Sequence, residues 1–155
     1  MRSGTGIVKV PEAIPDSIVA PANCALATII NAISKIPESA RTVVIQGAGM
    51  LGLYACAYFH NRGLRDLFCI DINKDRLALV PSFGGIPIDA GKSTYKHDRQ
   101  IILEATPNGV DAVLEVAGVA ELIPEGIQLI RTGGHYGFIG MVHPNSHLDL
   151  TGEQI

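Results

Sequence analysis

Thr42-Val43-Val44-Ile45-Gln46-Gly47-Ala48-Gly49-Met50-Leu51-Gly52 opens as a β-branched run and then breaks into three glycines within six residues. An apolar stretch with helical character continues to about His60. Strand composition returns from Arg65 to Ile70, and Asp71 stands at its end. A strand, a tight turn, a helix and a second strand in this order require two parallel strands joined by a helical crossover.

The glycines have separate physical tasks in such a unit. Gly47 lets the chain turn sharply out of the strand, Gly49 removes the Cβ that would hold a ligand off the backbone, and Gly52 lets the helix lie close on the sheet. The N-terminus of that helix carries unpaired N–H groups and about half a positive charge, so a diphosphate is attracted without Lys or Arg. Asp71 follows Gly52 by nineteen residues, near the spacing at which an acid meets an adenosine ribose. The pattern is that of a dinucleotide-binding βαβ unit. The plainer alternative, a glycine-loosened helix entry in another doubly wound protein, gives Asp71 no role.

Asp71 also favours one cofactor. A carboxylate accepts hydrogen bonds from both ribose hydroxyls, each worth about 1.5–3 kcal/mol with a charged partner. The extra phosphate of NADP would face it at about 4 kcal/mol per unit charge, taking 4 Å and an effective dielectric near 20. NAD is therefore expected, although Lys74 and Arg76 lie close enough in sequence to soften the discrimination.

Composition is consistent with a small-molecule ligand. The chain has 155 residues, 47% hydrophobic and 17% charged, with a net charge of −3, which fits one domain and gives no nucleic-acid footprint. Three cysteines without paired spacing favour a reducing compartment, so the cytoplasm is expected. The first six residues hold no apolar signal core, and Pro21, Asn23 and Asn31 interrupt the apolar segment between Ile18 and Ile36, so no membrane span is expected.

Residues 1–20, rich in Pro and Gly, read as extended loop. Leu26, Ile29, Ile30 and Ile33 give helical spacing from Ala22 to about Ile36. After Asp71 the pattern predicts a short helix from Asn73 to Val80 stopped by Pro81, and an edge strand at Ile86-Pro87-Ile88. A polar loop over 90–97, a helix from Lys96 to Thr106 and a strand from Val110 to Val116 follow. A helix from Ala120 to Ile130 and a fifth strand from His135 to Ile139, opened by Gly133-Gly134 and ended by Gly140, complete the reading. Alternating strands and helices imply an α/β, Rossmann-like, doubly wound parallel sheet. With too few residues for a sixth strand, the sheet reads as truncated after the fifth, whose free edge is expected to be able to pair with another copy.

Thr42 to Leu53, Cys69 to Leu77, Gly109 to Gly118 and Gly133 to Gly140 together resemble the cofactor half of zinc-dependent medium-chain alcohol dehydrogenases, over about Pro21 to Gly140. Pro21 to Thr28 looks most like a subgroup associated with phosphonate catabolism. The resemblance implies that Gly47, Gly49, Met50, Leu51 and Gly52 carry the pyrophosphate, Asp71 and Arg76 the adenosine ribose, and that Ile72 lies beside the adenine. It implies that Val116, Ala117 and Gly118 line the adenosine side, that Ile139, Gly140 and Thr28 lie near the nicotinamide, and that Cys24 matches a ligand of the catalytic zinc. Residues 1–20 would then be an extended remnant of a catalytic domain, and 21–155 a dinucleotide-binding domain incomplete at its C-terminus.

Zinc catalysis needs three protein ligands and an open position. Only Cys24 has a counterpart here, so zinc is expected only in a complete enzyme and the chain is not expected to oxidise alcohols alone. Without the resemblance, Cys24 reads as a small buried hydrophobe. Cys56 and Cys69 read as core, and His60, His97, His135, His143 and His147 as solvent-facing or loop positions. A stand-alone NAD-binding regulatory or assembly module and a folded remnant that binds nothing are the competing readings.

Overall fold

A computed structural model describes residues 4, 6–91, 95–148, 150 and 151. Strands β1 (Thr42–Gln46), β2 (Asp66–Asp71), β3 (Ile86–Asp89), β4 (Val110–Glu115) and β5 (Ile130–Phe138) form one parallel sheet in the order β3-β2-β1-β4-β5. Helices α1 (Asp16–Val19), α2 (Ala27–Ile33), α3 (Met50–Asn61), α4 (Lys74–Leu77), α5 (Tyr95–Ala105) and α6 (Leu122–Ile127) flank it. The Rossmann-like α/β reading of the sequence is therefore correct. The chain builds outward from β1 to β3, then returns to place β4 on the other side of β1. Right-handed crossovers then lie on opposite faces, and a crevice opens between β1 and β4 at their C-terminal ends.

The β1 sequence is apolar without alternation because both of its faces are covered. Val43 and Ile45 join a core with Ile29 and Ile33 of α2, Phe59 of α3 and Leu114 of β4. Val44 points to the opposite layer, with Phe68, Ile88, Ile102 of α5 and Leu129. Burial of each such side chain is worth about 1.5–3 kcal/mol. Cys56 and Cys69 are fully buried, as the sequence suggests. Cys69 has its pKa pushed up, first by a hydrogen bond with the Cys56 thiol and then by burial, which keeps it a thiol.

Several local readings need correction. Asp16–Val19 forms a helical turn within the N-terminal segment read as loop. The helix expected over Ala22–Ile36 is a π-helical turn, Ala22–Leu26, leading into α2, which ends at Ile33. Ile30 faces outward, 44% exposed, while Ile29 and Ile33 are fully buried. The helical run from Asp16 to Ile33 has the length and mean hydropathy, 1.3, of a membrane span, although these two isoleucines belong to the core.

Pro81 does not stop the helix before it. It sits in a separate 3₁₀ turn, Val80–Phe83, where its missing N–H costs nothing and Gly84 closes the turn at φ +81°. The polar loop read over 90–97 ends earlier, because α5 begins at Tyr95. Residues 92–94 and the His97 side chain lie outside the described residues. His135 is half-buried in β5 rather than exposed.

The largest difference is at β5. Helix α6 covers only Leu122–Ile127, and β5 begins at Ile130, five residues before the position expected. Val110 pairs with Ile130 and Ala112 already with His135, so residues 131–134 bulge out of the ladder, with Gly133 at φ +71°. Asp111, in that gap, fastens the bulge. It accepts hydrogen bonds from the backbone N–H groups of Arg41 (2.7 Å) and Thr42 (3.1 Å), the Thr42 hydroxyl (3.1 Å) and Arg131 Nε (2.7 Å). Desolvation pushes its pKa up, but these donors outweigh it and hold it at about 2.

A carboxylate with a depressed folded-state pKa stabilises the fold above its ordinary pKa, and that contribution is lost as pH falls through the folded-state value. Asp111→Ala is therefore expected to lose about 1–3 kcal/mol at pH 7. Urea unfolding should show this gap to wild type closing between about pH 4 and pH 2. Equal stability at pH 7 would mean that Asp111 does not staple the bulge.

Candidate dinucleotide site

The C-terminal ends of β1, β2 and β4 meet at the switch in strand order. The ladder continues past the strands, with Gly47 N–H donating to Ile70 O (2.8 Å) and Val116 N–H to Gln46 O (3.0 Å). Gly47 turns at φ +116°, and a Cβ built there would lie 3.1 Å from the backbone nitrogen of Ala117. Gly52 packs on the carbonyl of Gly47 so closely that any methyl would overlap it. A Cβ on Gly49 would meet nothing within 4 Å. The space above Gly49 is open, and α3 begins there with no side-chain cap, leaving N–H groups available to an anion.

Asp71 is oriented by the backbone on both sides. Its Oδ2 accepts the Ala48 N–H at 2.7 Å and its Oδ1 the Asn73 N–H at 2.8 Å, with Arg76 Nη1 4.0 Å from Oδ2. The Asp71 side chain is 9% exposed and that of Arg76 59%, so the acid is fixed while the base is free to swing. Each carboxylate oxygen has a second lone-pair direction available for a ligand hydroxyl. Asn73 also caps α4, its Oδ1 accepting the Arg76 N–H at 3.1 Å.

A cleft of about 320 Å³ brings together seven of the residues singled out in the sequence: Gly47, Gly49, Asp71, Ile72, Arg76, Val116 and Ala117. Ile70, Ala90, Val119 and Leu122 also line it. Sequence reading missed these four, although Ile70 and Ala90 stand next to strand-end acids. Met50 lies in an adjoining hollow of about 410 Å³ that shares Gly49 and Arg76 with the cleft. Leu51 packs on the core, and Gly52 lies beneath the turn. Gly118, Ile139, Gly140 and Thr28 are not in the cleft wall. A larger hollow of about 570 Å³, between Lys74, Pro87 and Ile101 at the β3 edge, is mostly apolar and is lined by none of the glycines of the β1–α3 turn.

Glu115 is the other residue that sequence reading passed over. It is fully buried at the end of β4, and its Oε1 accepts N–H groups from Ala117 (2.8 Å), Gly118 (2.7 Å) and Val119 (3.3 Å). Its signal was a charged residue inside the apolar run Val113-Leu114-Glu115-Val116, which demands partners. Tyr136 donates to Gln46 Oε1 at 3.1 Å. Burial, and then the charge of Glu115, push the Tyr136 pKa up, so the phenol stays protonated.

Residues 51–153 match a family model described as zinc-binding dehydrogenase. The chain belongs to the zinc-binding dehydrogenase family. The chain is 29% identical over 160 residues to 5-exo-hydroxycamphor dehydrogenase of Pseudomonas putida, covering 97% of the chain and 44% of that protein. It is 32% identical over 139 residues to alcohol dehydrogenase-like 1 of Arabidopsis thaliana, covering 87% of the chain and 36% of the relative. Its fold superposes on an alcohol dehydrogenase from Thermotoga maritima with a TM-score of 0.86 and 31% identity, over 93% of the chain and 40% of that structure. The chain thus spans about two-fifths of the length of these proteins.

Zinc itself finds no site among the described residues, where no three His, Cys, Asp or Glu side chains converge. Cys24, the residue matched to a zinc ligand, is exposed on the π-helical turn, which corrects its reading as a buried hydrophobe.

The two helix-entry glycines should separate by stability. Gly52→Ala drives a methyl into the Gly47 carbonyl and is expected to cost about 1–3 kcal/mol, read as a lower melting temperature. Gly49→Ala, facing open space at negative φ, should melt within about 2 °C of wild type on the size scaling of melting shifts. The reverse order would contradict the assigned packing.

Proposed function

We propose that this chain is the NAD(H)-binding part of a zinc-type alcohol dehydrogenase. The observation that carries the reading is the convergence of an uncapped helix N-terminus, open space over Gly49 and the oriented carboxylate of Asp71 on one cleft. The diphosphate would meet the N–H groups at the start of α3, with Gly47 to Gly52 shaping that approach. Asp71 would accept the adenosine ribose hydroxyls, aided by Arg76, and Ile72, 73% exposed, would cover the adenine. Val116 and Ala117 would form the opposite wall on the adenosine side, with Gly118 behind them in the same turn and Ile139, Gly140 and Thr28 toward the nicotinamide. When bound, the nicotinamide supplies hydride chemistry, and the protein supplies position and electrostatics.

The remaining parts of the reading follow from the family. Residues 1–20 would be catalytic-domain sequence and 21–155 the nucleotide domain, with Cys24 contributing to a zinc site whose other ligands come from outside this chain. Alcohol turnover would belong to a longer protein in the cytoplasm, and membrane and nucleic-acid partners form no part of the reading. The phosphonate-associated subgroup rests on Pro21 to Thr28 alone. The module reading draws on the β5 edge, which has β4 on one side and no strand on the other among the described residues, so that pairing with a second copy would complete the ladder.

Calorimetric titration tests the cofactor. NADH is expected to bind more tightly than NADPH, and Asp71→Ser should weaken NADH by about tenfold or more, the loss of one to two charge-assisted hydrogen bonds, while narrowing the gap to NADPH. An absence of heat with both nucleotides would overturn the cofactor reading. Tighter binding of NADPH by wild type would overturn the choice of NAD.

A further inference from the structure

Glu115 is fully buried, yet its two oxygens have unequal surroundings. Oε1 takes three backbone N–H groups, while Oε2 is sealed from solvent with no hydrogen-bond partner among the described residues. Oε2 abuts Gly140, where an added methyl would overlap both it and the Gly118 nitrogen. Gly118, at φ +75°, in turn lies against Met141, whose carbonyl oxygen a Cβ would approach to 2.6 Å. The N–H groups of Ile139 (2.9 Å) and Gly140 (3.0 Å) both donate to the backbone carbonyl of Glu115. One residue therefore holds the turn after β4 through its side chain and the segment after β5 through its main chain.

The peptide plane gives this arrangement a consequence for the cleft. In a trans peptide, the carbonyl of one residue points opposite to the N–H of the next. With the N–H groups of Ala117, Gly118 and Val119 aimed at Glu115, the carbonyls of Val116, Ala117 and Gly118 are aimed away from the buried carboxylate. Val116, Ala117 and Val119 line the cleft that also holds Asp71. Carbonyls turned from Glu115 toward the cleft would accept hydrogen bonds from ligand hydroxyls.

We infer that Glu115 is a positioning residue of the cofactor cleft, locking the 116–119 turn with its carbonyls outward and joining that turn to the 139–141 segment. The inference rests on the proposed nucleotide reading. A carboxylate suits the task because one oxygen can accept several N–H groups at once and a charged acceptor bonds about twice as strongly as a neutral one. Gly140 is the matching requirement on the other segment, since only a residue without a side chain leaves room for Oε2. Neither residue has to touch the nucleotide for this effect.

The test uses Glu115→Gln, Gly140→Ala and the double variant, read by NADH titration, melting temperature and amide hydrogen exchange. Glu115→Gln keeps the shape but replaces a charged acceptor with a neutral one and puts an N–H₂ where Oε2 stood. The expected result is NADH binding weakened about tenfold in each single variant. The double variant should be no weaker than the weaker single, and exchange at 117–119 should be accelerated at least about tenfold over amides in the middle of β1. Wild-type affinity with unchanged exchange in Glu115→Gln would overturn the inference, as would strictly multiplicative losses in the double variant. If Gly140→Ala fails to fold, the affinity and exchange of Glu115→Gln decide alone. If wild type binds no NADH, the nucleotide reading has failed, and unchanged exchange at 117–119 in Glu115→Gln would then also reject the lock itself.

Discussion

The approach of Gly52 to the carbonyl of Gly47 is the contact on which the rest depends. With only a hydrogen on Gly52, α3 sits low enough for Phe59, Cys56 and Ala55 to be buried with β1 and β2 in one core. The same closeness brings the first turn of α3 to the rim of the crevice between β1 and β4. A helix held a methyl group higher would leave a void beneath it and shift its N-terminus from the cleft. Packing and site are in this respect one arrangement.

Two strand-end acids then organise the crevice from opposite sides. Asp71 at the end of β2 holds the Ala48 and Asn73 N–H groups, and Glu115 at the end of β4 holds those of Ala117, Gly118 and Val119. Each acid fixes a loop whose backbone would otherwise have free donors near a proposed anionic ligand. They differ in access: Asp71 lines the cleft, whereas Glu115 is fully buried behind it. That difference separates a residue proposed to touch a ligand from one that acts through a turn.

Much of this was legible in the sequence because local chemistry dictated it. The β-branched run at Val43 to Ile45, the glycines after it and Asp71 set strand, turn and acid in register, and the comparison with alcohol dehydrogenases agrees over nearly the whole chain. The reading failed where distant contacts decide the outcome. Gly133-Gly134 looked like the opening of a strand, but the bulge they form lies inside β5 and is held by Asp111 through Arg131, twenty residues away. Pro81 looked like a stop because local rules cannot tell the end of one helix from the start of a separate 3₁₀ turn. Glu115 was hidden in an apolar motif, and its partners became visible only with the 117–119 turn in place.

Backbone amide chemical shifts recorded during addition of NADH test the central claim directly, since they locate the ligand residue by residue. The expected outcome is saturable shifts concentrated at 47–52, 71–72 and 116–119, with the amides at the β3 edge unchanged. Shifts centred on the hollow between Lys74, Pro87 and Ile101, or no shifts at millimolar NADH, would contradict it.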